Sequence, residues 1–147
     1  MKISLCSLLE ELFQEYEQHH SRMYFVFKKI EKQYTFTDVN QTLLQAVRQQ
    51  KSDFVGRNLD TAPHLGDEAT REKLKNIYLV AWSGKKIFFP WIPNRNMDIF
   101  MIIYLEPQYE KENVIQVIGR CASFDKNEFR DKTKYFDGFV ALEASPE

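Results

Sequence analysis

The densest apolar patterning lies between Lys85 and Phe124. There Ile87, Phe89 and Trp91 alternate against Phe88, and Ile99 to Leu105 is apolar at every position. A third run carries Val114, Ile115, Val117, Ile118, Cys121 and Phe124. Runs this rich in β-branched and aromatic residues predict three antiparallel strands, Lys85–Ile92, Asp98–Leu105 and Asn113–Phe124. Pro93-Asn94-Arg95-Asn96 and Glu106-Pro107-Gln108 read as the breaks between them. The middle strand places Ile99, Met101, Ile103 and Leu105 on one face and Phe100, Ile102 and Tyr104 on the other. Both faces therefore need a cover.

Helical periodicity supplies candidates. Ser4 to His20 repeats Leu5, Leu8, Leu9, Leu12, Phe13 and Tyr16 at three- and four-residue spacing among acidic and amide residues, which predicts an amphipathic helix. Met23 to Asp38 reads as a hairpin, Tyr24–Phe27 against Tyr34–Thr37, turning somewhere in Lys28–Gln33 without an Asn-Gly signal. Asp38 or Asn40 caps a short helix over Gln41–Gln49. Gly56, Pro63 and Gly66 punctuate a stretch of short turns. Glu68–Ser83 is a second strong helix, capped by Asp67, stopped by Gly84 and apolar at Leu74, Ile77, Tyr78 and Ala81. The segment Tyr135–Leu142 reads as an extra strand, a docked tail or a partner contact. An early hairpin and a late three-strand meander together make one five-stranded antiparallel sheet, so the fold class is α+β.

Composition narrows this picture modestly. The 147 residues, 44% hydrophobic and 14% aromatic, suit one domain with a real core. The formal net charge of -1 offers no field for nucleic acid or an anionic membrane surface. Cys6 and Cys121 lie far apart and in no metal-ligand spacing, so reduced thiols are expected. Glu10 and Glu11 interrupt the apolar start too early for a signal peptide. No run approaches the roughly 20 apolar residues of a membrane span. The expectation is a soluble, cytoplasmic protein.

The element order and three short stretches resemble the PAS domain, a sensory module of signalling proteins, over about Met23 to Lys126. Tyr24–Asn40 resembles its opening hairpin and turn, Phe54-Val55-Gly56-Arg57-Asn58 its Gly-Arg signature, and Val114–Asp125 its last strand. The resemblance implies a PAS-like sheet with helices over one face around an internal cavity, dimerisation through flanking helices, and signalling without catalysis. It divides the chain into an N-terminal dimerisation helix (1–22), a sensory domain (23–126) and a tail or extra element (127–147). Leu59 stands where the flavin-binding, light-sensing subgroup carries its photoreactive Cys. The helix over Glu68–Ser83 holds no His for haem. Neither flavin nor haem is expected, and the cofactor is left open.

The residues expected around a cavity are Phe25, Phe27, Phe36, Leu44, Val47, Arg57, His64, Leu74, Tyr78, Phe89, Trp91, Met101, Ile103 and Val117. A packed core and an apolar ligand both suit such a set, and a charged metabolite does not. Arg57, His64 and Tyr78 are the candidates to meet a polar group. Leu5, Leu8, Leu9, Leu12, Phe13, Tyr16, Phe100 and Tyr104 are the candidate dimer interface, and the same helix could instead cover its own sheet. His19-His20 reads as a polar helix end rather than a metal site, and no nucleophile motif occurs. The function read from the chain is a non-enzymatic sensory domain that binds a small apolar ligand or a protein partner, forms a homodimer and acts through a separate output protein or domain. Two alternatives stand beside it. One is a small enzyme resembling the nuclear-transport-factor and ketosteroid-isomerase group, which would need a buried acid or His as base. The other is a purely structural interaction domain.

Overall fold

Short-range chemistry fixes the ends of the elements. The computed structural model describes residues 5–125 and 142–143, with side chains for 7–125. It contains helix α1 (Leu5–His19), strands β1 (Met23–Ile30) and β2 (Gln33–Val39), helix α2 (Gln41–Val47), a 3-10 turn (Lys51–Asp53) and helix α3 (Glu68–Trp82). Strands β3 (Ile87–Trp91), β4 (Ile99–Glu110), β5 (Asn113–Asp125) and β6 (Leu142–Glu143) follow. The β1–β2 turn places Glu31 and Lys32 at φ 50° and 69°. Both are left-handed, as a two-residue hairpin turn requires, although neither is Gly or Asn. Asn40 begins α2: its Oδ1 accepts from the backbone N–H of Leu43 and of Tyr24, while its Nδ2 donates to the Arg22 carbonyl. One side chain thus caps the helix and ties it to β1. Asp67 caps α3 by accepting from Thr70 N–H at 2.9 Å. Gly84, at φ 106°, carries the chain out of that helix.

The sheet is antiparallel, in the order β2-β1-β5-β4-β3-β6. The hairpin docks on the last meander strand, with Phe25 opposite Gly119 and Phe27 opposite Val117. The expected five-stranded α+β architecture is what forms, and the two-residue β6 adds a short sixth strand beside β3. Of the predicted tail, only Leu142 and Glu143 lie within the described residues, and the Leu5 and Cys6 side chains lie outside them.

Two expectations change. The segment Glu106-Pro107-Gln108 does not break the meander. β4 runs through it, with Pro107 opposite Val117, and the turn comes at Lys111, φ 58°. β3 reaches only to the partner of Leu105, so beyond that point one side of β4 is an open edge, where a residue without an N–H is tolerated. The outer face is also less apolar than the middle strand suggested. Gln116 Nε2 donates to Gln108 Oε1 at 2.6 Å, and Arg120 pairs with Glu106 at 3.6 Å.

The two faces receive different covers. α2 and α3 lie on the inner face, where the Phe27 and Tyr78 rings stack at 4.1 Å. Phe36 sits edge-on to Phe25 and Phe54. α1 lies on the outer face of its own sheet and buries Leu9, Phe13 and Tyr16. Phe13 meets Tyr104 edge-on at 5.9 Å, Tyr16 meets Phe124 at 5.4 Å, and Tyr104 stacks on Phe88. Arg120 anchors this layer: its guanidinium donates to the Glu17 carboxylate and lies over the Phe13 and Tyr104 rings.

Candidate functional site

Strand alternation aims Phe25, Phe89, Trp91, Met101, Ile103 and Cys121 to one side of the sheet, where they floor a cavity. Leu43 and Val47, one helical turn apart on α2, and Leu74 and Tyr78, similarly spaced on α3, form its opposite wall. Phe36, Phe54, His64, Leu65, Gln49, Pro93 and Asn94 complete the lining. The cavity measures about 40 Å³. That exceeds the roughly 30 Å³ share of one liquid water and falls well below the roughly 300–1,000 Å³ of sites for drug-sized ligands.

The segment before α3 sets the polar edge. Gly56, at φ 85°, turns the chain so that its N–H donates to the Phe36 carbonyl while Phe36 N–H donates to Arg57. This adds a short rung to β2 and fixes the direction of the Phe54–His64 stretch. The His64 ring packs on Phe54 at 4.2 Å. The β3–β4 loop is stitched down over the same edge. Asn94 Nδ2 donates to the His64 carbonyl at 3.2 Å, and Asn96 Nδ2 donates to the Ala46 carbonyl at 2.8 Å.

Gln49 and His64 are each only 8% exposed. Among the described residues, Gln49 Oε1 and His64 Nδ1 are buried without a hydrogen-bond partner. Each such atom costs about 1–3 kcal/mol relative to a paired one. Burial lowers the His64 pKa from 6.5 to about 4; the nearby Asp53 carboxylate opposes that shift and Arg95 adds to it. His64 is therefore neutral at pH 7. Burial also pushes the Tyr78 hydroxyl and the Cys121 thiol upward, so both stay protonated. Among the described residues no Asp, Glu, Lys or Arg lines the cavity. Among the described residues the lining is uncharged at neutral pH and mostly apolar, with Gln49, His64, Tyr78 and Asn94 supplying its polar groups.

Of the residues expected here, Phe25, Phe36, Val47, His64, Leu74, Tyr78, Phe89, Trp91, Met101 and Ile103 meet at the cavity. Phe27 and Val117 are buried nearby without lining it, and Leu44 gives its place to Leu43, one position back on α2. Arg57 is exposed and occupied elsewhere: Nε donates to the Ser52 carbonyl and an Nη to that of Thr61, stapling the loop. The sequence reading missed Gln49, Phe54, Leu65, Pro93, Asn94 and Cys121. Phe54 sat in plain view inside the Gly-Arg stretch. Gln49 carried no signal, since its position follows from the end of α2.

Of the interface candidates, Leu9, Phe13, Tyr16 and Phe100 are buried within the chain, and Tyr104 lies under Phe13. Leu8 is 42% exposed and Leu12 is partly so. Burial pushes the Tyr104 hydroxyl up to about 12, helped by Glu106 and Glu10 and opposed by Arg120. Among the described residues no cluster of His, Cys, Asp and Glu has metal-holding geometry, and no helix is long and apolar enough to cross a membrane.

No protein-family model and no curated protein matches this chain. Solved structures do. A light-oxygen-voltage domain studied through a flavin analogue aligns with TM-score 0.61 at 13% identity, over 88% of this chain and 93% of its own. The PAS domain of Bordetella pertussis BvgS aligns with TM-score 0.59 at 14% identity, over 87% and 95%. A sensory box sensor histidine kinase from Vibrio cholerae aligns with TM-score 0.53 at 15% identity, over 81% and 94%. At such identities the likeness is one of backbone path, and the cavity lining is this chain's own.

Proposed function

We propose that this chain, which has the PAS fold, is a non-enzymatic sensory domain that binds a small molecule in the cavity between β-sheet and α2/α3 and passes that state to an output partner. The observation that carries this reading is the pair of buried, unpaired polar atoms, Gln49 Oε1 and His64 Nδ1, at the edge of an otherwise apolar cavity. Burying an unpaired polar group opposes folding, so a ligand atom that pairs with either one offsets that cost. The outer-face helix α1 is the transmitting element. It rests through Phe13 on Tyr104, which stacks on Phe88, and the strands of these two residues also supply Phe89 and Ile103 to the cavity on the opposite face. A ligand that favours one packing of the sheet shifts the population of α1 positions by its differential affinity. The domain works as a homodimer, with the exposed Leu8 and the partly exposed Leu12 beside the buried stripe of α1 as the contact, and it acts in the cytoplasm on a separate output protein or domain.

Native mass spectrometry of the purified full chain tests this, followed by denaturation and small-molecule analysis. A stoichiometric compound released on denaturation, together with a dimer mass, is the expected result. A protein that releases nothing, and whose stability and α1 amide exchange no small molecule changes, sinks the sensory reading and leaves the structural-interaction one. An enzyme of the ketosteroid-isomerase kind would use a buried carboxylate or a basic imidazole. Among the described residues no carboxylate lines this cavity, and the His64 imidazole is held neutral with its pKa at about 4.

A further inference from the structure

Of the residues that line the cavity, Asn94 alone is exposed and Trp91 is half-buried, and all the others are buried. Trp91 ends β3, and Asn94 lies in the loop that follows it, residues 92–98. Side chains tie this loop down. Among the described residues its backbone makes one hydrogen bond to other backbone, and that bond is internal, from Asn96 N–H to the Pro93 carbonyl at 3.3 Å. Asn94 holds the segment before α3 through the His64 carbonyl, and Asn96 holds the end of α2 through the Ala46 carbonyl. Arg48 Nη1 donates to the Arg95 carbonyl at 3.4 Å. The Arg95–Asp53 pair, at 3.9 Å and with the Arg95 side chain 56% exposed, adds little. Pro93 is the loop's one buried residue, and Ile92 and Met97, near its two ends, are exposed.

The docked position carries a cost. Among the described residues four buried side-chain atoms have no hydrogen-bond partner. Three of them, Gln49 Oε1, His64 Nδ1 and Asn96 Oδ1, lie on the loop or within three residues of the carbonyls it is tied to. Release of the loop lets water reach these atoms, which offsets the bonds that release breaks. A segment with few buried apolar contacts and bonds near the surface opens at a free energy well below that of global unfolding.

We infer that residues 92–98 form a gate that swings off the end of α2 and the His64 segment as one unit, opening the cavity to solvent while the sheet stays folded. The Asn94 and Asn96 side chains are its two latches, and it turns about the strand junctions after Trp91 and before Ile99. The gate supplies an entry route to the proposed sensory site and does not depend on that reading, since a cavity filled while the chain folds needs no gate.

Hydrogen exchange of the full chain, followed by NMR at neutral pH over a series of urea concentrations below the unfolding transition, tests the gate. The Asn96 carboxamide, bonded to the Ala46 carbonyl, reports the latch on α2, and the backbone amides of Val117 and Cys121 in the buried centre of β5 report global unfolding. In the wild type the Asn96 carboxamide is expected to exchange with a much shallower urea dependence than those amides, because gate opening exposes little surface. Asn94→Ala removes the other latch, on a different segment, and is expected to speed Asn96 carboxamide exchange by about fivefold or more, the worth of one net hydrogen bond. A smaller change shows that the two latches open independently and overturns the gate as one unit. A wild-type urea dependence as steep as that of Val117 shows that the loop opens only when the domain unfolds and overturns the gate altogether. Should Asn94→Ala fail to fold, Arg48→Met, which removes the bond to the Arg95 carbonyl, is read in the same way.

Discussion

Lowering the pH should destabilise this protein through His64, and replacing His64 with Phe should remove that part of the effect. In the folded chain the imidazole takes up its proton only near pH about 4, against 6.5 when exposed, because burial penalises the cation. Between those values the unfolded state binds more protons than the folded one, so stability rises with pH across this window and is lost as pH falls through it. The loss runs at about 1.4 kcal/mol per pH unit below 6.5 and levels off once the folded state also protonates. From about pH 7 to about pH 4.5 it amounts to about 2 kcal/mol. Carboxylates titrate over the same range, but they do so in both proteins and largely cancel in the difference. The measurement is urea unfolding at the two pH values, followed by Trp fluorescence, with Trp91 in the cavity wall as a reporter. Wild type should lose about 2 kcal/mol more than His64→Phe. An equal loss in both proteins would refute the neutral, buried imidazole, and with it the uncharged cavity edge.

Other perturbations test separate parts of the structure. Gly119→Ala places a Cβ into the Phe25 ring, which lies in the cavity floor; a loss of about 1–3 kcal/mol is expected by denaturant unfolding, and an unchanged midpoint would mean the ring is free to move. Asn40→Ala removes one side chain that accepts from Leu43 and Tyr24 and donates to Arg22, so a loss of about 1–2 kcal/mol is expected in the same assay, with values near zero arguing against that triple role. Arg120→Met breaks the pair with Glu17 but keeps an apolar stem over Phe13 and Tyr104; amide exchange should speed up in α1 more than in α3, and uniform speeding would show that α1 is not separately anchored.

The placement of each chemistry-bearing residue depended on signals of very different range. His64 reads in the sequence as a loop residue beside Pro63, yet it is among the most buried polar groups of the chain because Asn94, far along the sequence, donates to its carbonyl and closes the loop over it. Arg57 reads as a candidate for a polar ligand, but two backbone carbonyls of its own loop claim it. Leu43 and Leu44 are adjacent and equally apolar; only the angle at which α2 meets the sheet gives the cavity to Leu43.

By itself the sequence determined the order of elements, the helix cap at Asp67, a cap for α2 at either Asp38 or Asn40, the alternation that splits Met101 and Ile103 from Phe100 and Tyr104, and hence an antiparallel sheet with an apolar inner face. Each of these rests on periodicity or on contacts within a few residues, which a linear pattern records. The tertiary structure alone decided that β4 continues past Pro107, that α1 covers its own sheet through Arg120 and Glu17, and that Gln49 and His64 share the rim of one small cavity. Those outcomes depend on which strand edge is left open, on a salt bridge 103 residues apart, and on volumes left between packed rings. No local pattern encodes them, because each is set by how separate elements fill common space.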